Sequence, residues 1–194
     1  MSENYKKYLG GKAEVWELRG SFQLYFLKKM GLQPSCKLLD IGCGPLRAGI
    51  HLIRFLNQGN YCGVDYNESF IRAAKKIVED NGLSEKKPTL HSVNNFDFSC
   101  LNGNFDYVIA FSVLNHCNRF QQHHFLKVVH KTLKRNGRLY ITHSHWFDES
   151  MLRRTNLSLM RVFKQPGDID QELRMPDWGF PESSDVYPIL ELTT

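Results

Sequence analysis

Apolar residues follow two kinds of spacing along the chain. Short continuous apolar runs, which indicate buried β-strands, alternate with longer stretches in which apolar residues recur every three or four positions, as in an amphipathic helix. Strands that are apolar throughout are buried on both faces, and a parallel sheet covered by helices provides that environment. The pattern therefore predicts an α/β fold with a doubly wound, mostly parallel sheet and helices on both faces.

The predicted strands and helices alternate in chain order. The apolar runs predict strands over residues 37–41, 61–65, 89–93, 105–111 and 138–142. The helical spacing predicts helices over residues 13–30, 47–57 and 120–134, and a further helix that follows its N-cap Asn67 and ends before Asn81. Beyond residue 145 we expect a helix near residues 149–163 and a strand over residues 189–192.

Length and composition fit a single folded domain. The 194 residues suit one domain, because domains cluster near ~100–200 residues. Shares of 42% hydrophobic and 23% charged residues are typical of globular proteins and exclude a disordered chain. No apolar run approaches the ~18–20 residues that span a bilayer, and the first residues lack the apolar core of a signal peptide. We therefore expect a cytoplasmic protein without membrane insertion.

Cysteine and charge content narrow the expected partners. Five cysteines are scattered without a CxxC pair, which argues against both a disulfide framework and a cysteine-rich zinc site. The net charge of +5 is mild for a nucleic-acid-binding protein, and the basic residues form no long block. Nucleic acid is therefore not the expected partner, whereas a homo-oligomer stays open.

A glycine-rich turn after the first strand carries the strongest functional signal. Gly42 and Gly44 let the backbone bend tightly and approach a ligand, and the following helix offers free N–H groups. Asp65 ends the second strand, 21 residues after Gly44, where a carboxylate can accept hydrogen bonds from ribose hydroxyls. This combination predicts a nucleotide-like ligand.

Four ordered motifs extend this signal over residues 37–145. The stretch DIGCGPLRAG resembles the first motif of the class I S-adenosylmethionine-dependent methyltransferases, and GVDYN resembles their second. NFDYVIAFSVLNH and LKRNGRLYITHS resemble the motifs of the fourth and fifth strands. The resemblance implies a Rossmann-like domain over residues 36–194 that binds S-adenosylmethionine and releases S-adenosylhomocysteine. Residues 1–35 would form an N-terminal helical segment, with aromatic residues that can serve as a lid.

Carried over position by position, the resemblance implies a cofactor site formed by Asp40, Gly42, Gly44, Arg47, Asp65, Tyr66, Asn95, Phe96, Phe111 and Ser112. The two glycines would pass the amino-acid portion and the ribose, Asp65 would hold the ribose hydroxyls, and Tyr66 would lie beside the adenine. Phe111 and Ser112 would line the side of the methyl group.

Two of these assignments leave alternatives open. The family usually places an acidic side chain after the third strand, whereas this chain has Asn95 and Phe96 there, with Asp97 as the alternative contact to the adenine amino group. Arg47 can bind the cofactor carboxylate or a substrate anion, or it can be a solvated residue of the first helical turn.

The implied reaction is the transfer of a methyl group to a nucleophile of the acceptor. An alcohol acceptor needs a general base, and His116, just beyond the fourth strand, is the catalytic candidate. The alternative for His116 is a packing role near the next helix. His143, His145 and Trp146 follow the fifth strand and are predicted to contact the substrate. Histidine clusters of this kind are more often not metal ligands, so we predict no metal.

We expect a small-molecule acceptor, with an oxygen of a sugar or a natural-product metabolite as the methylated atom. The alternatives are a non-catalytic S-adenosylmethionine-binding partner subunit and an RNA methyltransferase. A dinucleotide-dependent oxidoreductase fits less well, because Arg47 occupies the place of the third glycine in its GxGxxG turn. The family's sheet generally ends in an antiparallel pair of strands, for which the remaining residues leave little room, so we expect a shortened C-terminal part.

Overall fold

The computed structural model describes residues 13–142, 149–153, 155–163 and 189–194. Within these ranges the strands are β1 (Leu38–Ile41), β2 (Tyr61–Asp65), β3 (Thr89–Ser92), β4 (Phe105–Ala110), β5 (Leu133–Thr142), β6 (Ser158–Phe163) and β7 (Ile189–Thr193). The α-helices in the same ranges are α1 (Ala13–Lys29), α2 (Gly49–Phe55), α3 (Glu68–Asp80) and α4 (Arg119–Val129). Short 3-10 turns cover Ser84–Lys86, Leu114–His116, His130–Thr132 and Glu149–Leu152.

The seven strands of the described residues form one sheet in the order β3-β2-β1-β4-β5-β7-β6. Neighbouring strands from β3 to β5 are parallel, and β7 runs antiparallel to both β5 and β6. The chain proceeds outward from β1 to β3 and then returns to β4 on the other side of β1. This reversal opens a crevice at the carboxyl ends of β1 and β4, where doubly wound sheets bind their ligands. The predicted fold class is confirmed.

Alternate residues of the strands feed two separate cores, one on each face of the sheet. Leu38, Tyr107 and Tyr140 pack with apolar residues of α1, α2 and α3. Their immediate chain neighbours, such as Leu39, Val108 and Leu139, pack with α4 on the other face. Because every central strand is buried on both faces, its apolar run is continuous, as the sequence pattern predicted.

Phe26 of α1 is the centre of the first core. Its side chain is fully buried, and its ring meets Phe111, Tyr140 and Phe163 in edge-to-face contacts with centroid distances of 6.0, 5.1 and 5.5 Å. Helix α1 is therefore packed as part of the sheet's own core. The lid function predicted for residues 1–35 stays a prediction, and residues 1–12 lie outside the described part of the chain.

The C-terminal part differs from the expectation. A helix was predicted over the region 149–163. Ser158–Phe163 forms strand β6 instead, and among the described residues of this region only Glu149–Leu152 turns helically. Strand β6 pairs with β7, and the Arg161 guanidinium donates to the buried Glu191 carboxylate of β7, so long-range pairing determines this conformation. Strands β6 and β7 form the antiparallel pair for which we expected too few residues. The expectation of a shortened C-terminal part was therefore wrong.

The helix predicted over residues 120–134 also ends early. A capping box between Asn118 and Gln121 begins α4, the helix ends at Val129, and β5 starts at Leu133. Asn136, at φ +63°, bends β5 away from β4 rather than ending a helix. Helix α2 is likewise shorter than predicted, since it covers only Gly49–Phe55. In the described residues, no helix combines the length and apolar character needed to cross a bilayer.

We expect Phe26→Ala to lower the free energy of unfolding by ~3–5 kcal/mol, because it removes a fully buried ring and leaves a cavity. Urea unfolding followed by circular dichroism measures this loss. Phe120→Ala is the matched control: its ring is 81% exposed, so the change should stay within about 0.5 kcal/mol. Equal losses in the two variants would contradict the role of Phe26 as the core of the α1 face.

Candidate functional site

The glycine turn after β1 is held against the end of β2. The backbone N–H groups of Gly42 and Cys43 both donate to the carbonyl oxygen of Val64, at 2.7 and 3.1 Å. Gly42 has φ +73°, and a Cβ at this position would lie 2.4 Å from Cγ2 of Val113, in the segment after β4. Only glycine satisfies both the backbone conformation and the close approach. We call this turn the cradle; it lies at the predicted place, packed closely between the end of β2 and the segment after β4.

Asp65 fixes this cradle from the carboxyl end of β2. One carboxylate oxygen accepts from Gly44 N at 3.0 Å, and the other accepts from Asn67 N at 2.9 Å. The side chain is buried, which raises the pKa of Asp65, while the N–H groups of Asn67 and Gly44 oppose that shift by stabilising the charged form. Each oxygen retains a further lone pair for a ligand hydroxyl.

Asp40 lies below the turn on the α1 face of the sheet. Its carboxyl group is 5% exposed and accepts a hydrogen bond of 2.8 Å from the hydroxyl of Tyr61. Burial raises the pKa of Asp40 to about 7, against an opposing effect of the Tyr61 hydrogen bond and with a smaller contribution from the charge of Asp65. With a pKa of about 7, the Asp40 carboxyl group can be either neutral or charged at neutral pH, and a change in its burial or in nearby charges shifts this balance.

Arg47 connects the turn to helix α1. Its guanidinium lies over the Trp16 ring, 5.8 Å from the centroid, and burial lowers its pKa, as does the nearby charge of Arg19. The helix approaches so closely that a Cβ on Gly20 would lie 2.2 Å from the carbonyl oxygen of Arg47. Arg47 is thus half-buried between α1 and Asp40 rather than fully solvated, which suits the binding of an anion.

The segment after β3 contains two consecutive residues in the left-handed region, Asn95 at φ +50° and Phe96 at φ +55°. The Phe96 ring packs edge-on against Phe125 of α4, with centroids 5.1 Å apart, whereas the Asn95 side chain is exposed. Asp97 is exposed and accepts from Ser99 N at 3.0 Å. Asn95 and Asp97 are the two alternatives for the contact to the adenine amino group. Asp97 is engaged by Ser99 N, whereas no hydrogen bond from the described residues engages the Asn95 side-chain amide.

The end of β4 separates its two predicted site residues. The Phe111 side chain is buried against Phe26 in the core, whereas Ser112 is exposed, has φ +58° and donates its N–H to Thr142 Oγ1 at 2.7 Å. Ser112 is thus exposed just beyond the carboxyl end of β4, whereas the preceding Phe111 side chain belongs to the core. Tyr66, beyond Asp65, is 75% exposed.

His116 is exposed at the end of the 3-10 turn that follows β4. Among the described residues its imidazole makes no hydrogen bond, so it is available to a ligand. The other predicted acceptor contacts, His143, His145 and Trp146, lie outside the described residues. No three His, Cys, Asp or Glu side chains within the described ranges form a group suited to a metal ion.

The structure brings the predicted residues together in two groups. Gly42, Gly44 and Asp65 form the backbone cradle, and Asp40 and Arg47 lie behind it. The sequence analysis missed Tyr61 as the partner of Asp40, although strand alternation places Tyr61 on the same face as Asp65. It also assigned no role to Trp16 and Arg19 against Arg47, which follows only from the packing of α1 onto the turn.

Comparison with known proteins gives one family and several relatives. Residues 32–193 match the model of a family described as a methyltransferase domain. The chain is 30% identical over 124 residues to an uncharacterized protein of Rickettsia prowazekii, an alignment that covers 60% of this chain and 48% of that protein. It is 25% identical over 189 residues to EEF1A lysine methyltransferase 2 of Homo sapiens, covering 92% of this chain and 74% of the relative.

A solved structure shares the fold at lower identity. Magnesium protoporphyrin IX methyltransferase from Synechocystis PCC 6803, crystallised with bound S-adenosylmethionine, superposes with a TM-score of 0.67 at 18% identity. The alignment covers 95% of this chain and 85% of that one. The chain thus spans about half of the Rickettsia relative and most of the porphyrin enzyme.

We expect Asp65→Ala to weaken S-adenosylmethionine binding by ~1–3 kcal/mol, or about 5- to 150-fold, because two hydrogen bonds to ribose hydroxyls are lost. Isothermal titration of the purified chain measures the affinity. Asp80→Ala, an exposed aspartate at the end of α3, is the matched control and should bind like the wild type. Unchanged affinity in Asp65→Ala, with the fold intact by circular dichroism, would remove Asp65 from the ribose site.

The raised pKa of Asp40 predicts a pH-dependent stability of the ligand-free chain. The unfolded state loses the Asp40 proton near pH 4 and the folded state near pH 7, so this group makes stability fall between these values and stay level above them. Asp40→Asn should remove that fall, and its advantage over the wild type should grow by up to about 3 kcal/mol between pH 5 and pH 8. Urea unfolding at both pH values measures the difference, with Asp80→Asn as the control. The same difference at both pH values would contradict the buried-acid assignment.

Proposed function

The chain belongs to the methyltransferase-domain family and is a class I S-adenosylmethionine-dependent methyltransferase, and we propose that it methylates an oxygen atom of a small molecule. A sugar hydroxyl or a hydroxyl of a natural-product metabolite is the proposed acceptor. The observation that carries the proposal is the exposed imidazole of His116, which follows β4 at the crevice and is not engaged by any described side chain.

The residues of the crevice fit the cofactor. Gly42 adopts φ +73°, which glycine favours, and the Asp65 carboxylate is oriented by two backbone N–H groups with lone pairs to spare. We assign the ribose hydroxyls to Asp65, the adenine amino group to Asn95 and the amino-acid carboxylate to Arg47. When bound, S-adenosylmethionine supplies a methyl group on a positively charged sulfur.

The side chains that face the acceptor have two tasks. They align the acceptor oxygen in line with the methyl group, and alignment of this kind contributes ~7–11 kcal/mol to catalysis. While the acceptor oxygen displaces the methyl group from the sulfur and S-adenosylhomocysteine leaves, His116 would take the proton of the acceptor hydroxyl. The imidazole suits this role, because histidine is the side chain that most often serves as a general base in enzymes. His143, His145 and Trp146 complete the proposed acceptor pocket.

A lysine side chain of a protein is the second candidate acceptor. The 25% identity to EEF1A lysine methyltransferase 2, over 92% of this chain, favours it. An amine can lose its proton to water before it binds, so lysine methylation would not require His116. The two candidates therefore make different demands on the same residue, and this difference makes them distinguishable.

We also propose that the chain acts in the cytoplasm. All five cysteines are free, and Cys43 and Cys62 are buried. Disulfides are rare in reducing compartments, where buried thiols behave as small apolar core residues.

The acceptor class can be tested by incubating the chain with methyl-tritiated S-adenosylmethionine and a cell extract that has been separated into filtrate and protein fractions. We expect label in the filtrate, and we expect His116→Gln to lower the single-turnover rate by about 10²–10⁴-fold with unchanged cofactor affinity. His123→Gln, a histidine on α4, is the matched control. Label on protein lysines, transferred equally fast by His116→Gln, would favour the lysine acceptor and overturn our proposal.

A further inference from the structure

A second hollow lies at the edge of the sheet opposite the cofactor crevice. Its volume is about 210 Å³, and its lining includes Asp106, Tyr107, Lys134, Arg135 and Arg138. Asp106 is near the start of β4, and Lys134 is near the start of β5. The crevice lies at the carboxyl ends of the parallel strands, so this hollow is separated from it by the length of the sheet.

An irregularity in β5 creates the hollow. Phe105 pairs with Leu133 and Tyr107 pairs with Arg138, so β5 advances five residues while β4 advances two. Residues 134–137 of β5 thus lie opposite the single residue Asp106 of β4, which gives β5 three extra residues here. Asn136 adopts φ +63° in this segment, and a Cβ on Gly137 would lie within 3.0 Å of the carbonyl oxygens of Lys134 and Phe105. The backbone of the segment is therefore closely packed and holds its side chains in place.

The acidic group of the hollow is already neutralised. One Asp106 oxygen accepts from Lys134 Nζ at 2.7 Å, and the other accepts from Lys37 N at 2.7 Å. Burial raises the pKa of Asp106, but these donors outweigh burial and keep the pKa below its usual value. A carboxylate whose oxygens are both engaged offers little to a metal cation. Its main effect is to orient the Lys134 ammonium.

The basic groups outnumber this carboxylate, and two of them are fixed. Arg138 donates to the carbonyl oxygen of Met30 at 3.0 Å and lies 3.5 Å from the buried Glu191 carboxylate. Arg135 is exposed and has no ion pair with any described carboxylate. Lys134, Arg135 and Arg138 therefore surround the hollow with three positive charges. Asp106 pairs with Lys134 and Glu191 lies beside Arg138, so Arg135 is the one whose charge no described carboxylate pairs.

From this arrangement we propose that the hollow binds the phosphate group of a small ligand, with Arg135 and Lys134 as the principal contacts. Guanidinium groups match the oxygens of phosphate with parallel hydrogen bonds, and an ammonium adds a compact charge. The volume admits one compact oxyanion rather than an extended chain. The site is independent of methyl transfer, so the proposal does not rest on the proposed acceptor.

Pyrophosphate is the probe for this site, titrated calorimetrically into the full chain at constant ionic strength. We expect saturable binding that Arg135→Ala weakens about ten- to hundredfold, the usual effect of losing hydrogen bonds to a charged group. Arg72→Ala is the matched control, because Arg72 is an exposed arginine on α3 and should leave the affinity unchanged. Amide shifts in the nuclear magnetic resonance spectrum should cluster at residues 134–138.

Three results would overturn the proposal. The first is the absence of saturable binding, and the second is an equal loss of affinity in both arginine variants, which would indicate unspecific charge attraction. The third is binding of a short single-stranded RNA that depends on Arg135 while pyrophosphate does not bind. That result would assign the hollow to a nucleic-acid-binding surface. Arg135 and Arg72 are both exposed, so we expect both variants to fold and to give circular dichroism spectra that match the wild type.

Discussion

The Asp65 carboxylate joins the three segments that form the proposed cofactor site. Its two oxygens accept from the glycine turn after β1 and from the start of α3, while its backbone belongs to β2. Two backbone donors fix the orientation of the carboxylate in the free chain, so binding need not order this side chain. A group that is oriented in advance loses less entropy on binding, which is the physical basis of preorganisation.

Helix α1 contacts both the segment after the glycine turn and the core of the sheet. Its residue Gly20 lies against the backbone of Arg47, and Phe26 joins Tyr140 and Phe163 in the core. The close approach at Gly20 also brings the charge of Arg19 near the Arg47 guanidinium, with Asp40 as the acidic neighbour. A ligand anion beside Arg47 would relieve the repulsion between the two arginines. The packing of α1 thus sets which charges lie near the Arg47 guanidinium.

Local sequence determines some elements, and long-range contacts determine others. β1, β2 and β4 were predicted because both of their faces are buried, which leaves a continuous apolar run. β6 was mispredicted, because its conformation depends on pairing with β7, more than 25 residues later in the chain. Gly42, Gly44 and Asp65 were predicted from their spacing and from the family resemblance, and they lie together because the turn and the end of β2 belong to neighbouring parallel strands. Tyr61 and Trp16 contribute through sheet register and helix packing, which spacing does not encode.

The same division explains how one fold accommodates different acceptors. The proposed cofactor site depends on two glycines in a tight turn and on one carboxylate, and these requirements leave the other side chains free to vary. The chain accordingly superposes on a porphyrin methyltransferase at 18% identity, although a lysine methyltransferase is among its sequence relatives. Acceptor choice then depends on side chains beyond the strand ends, where we propose a role for His116, because function resides in sites that the fold only supports.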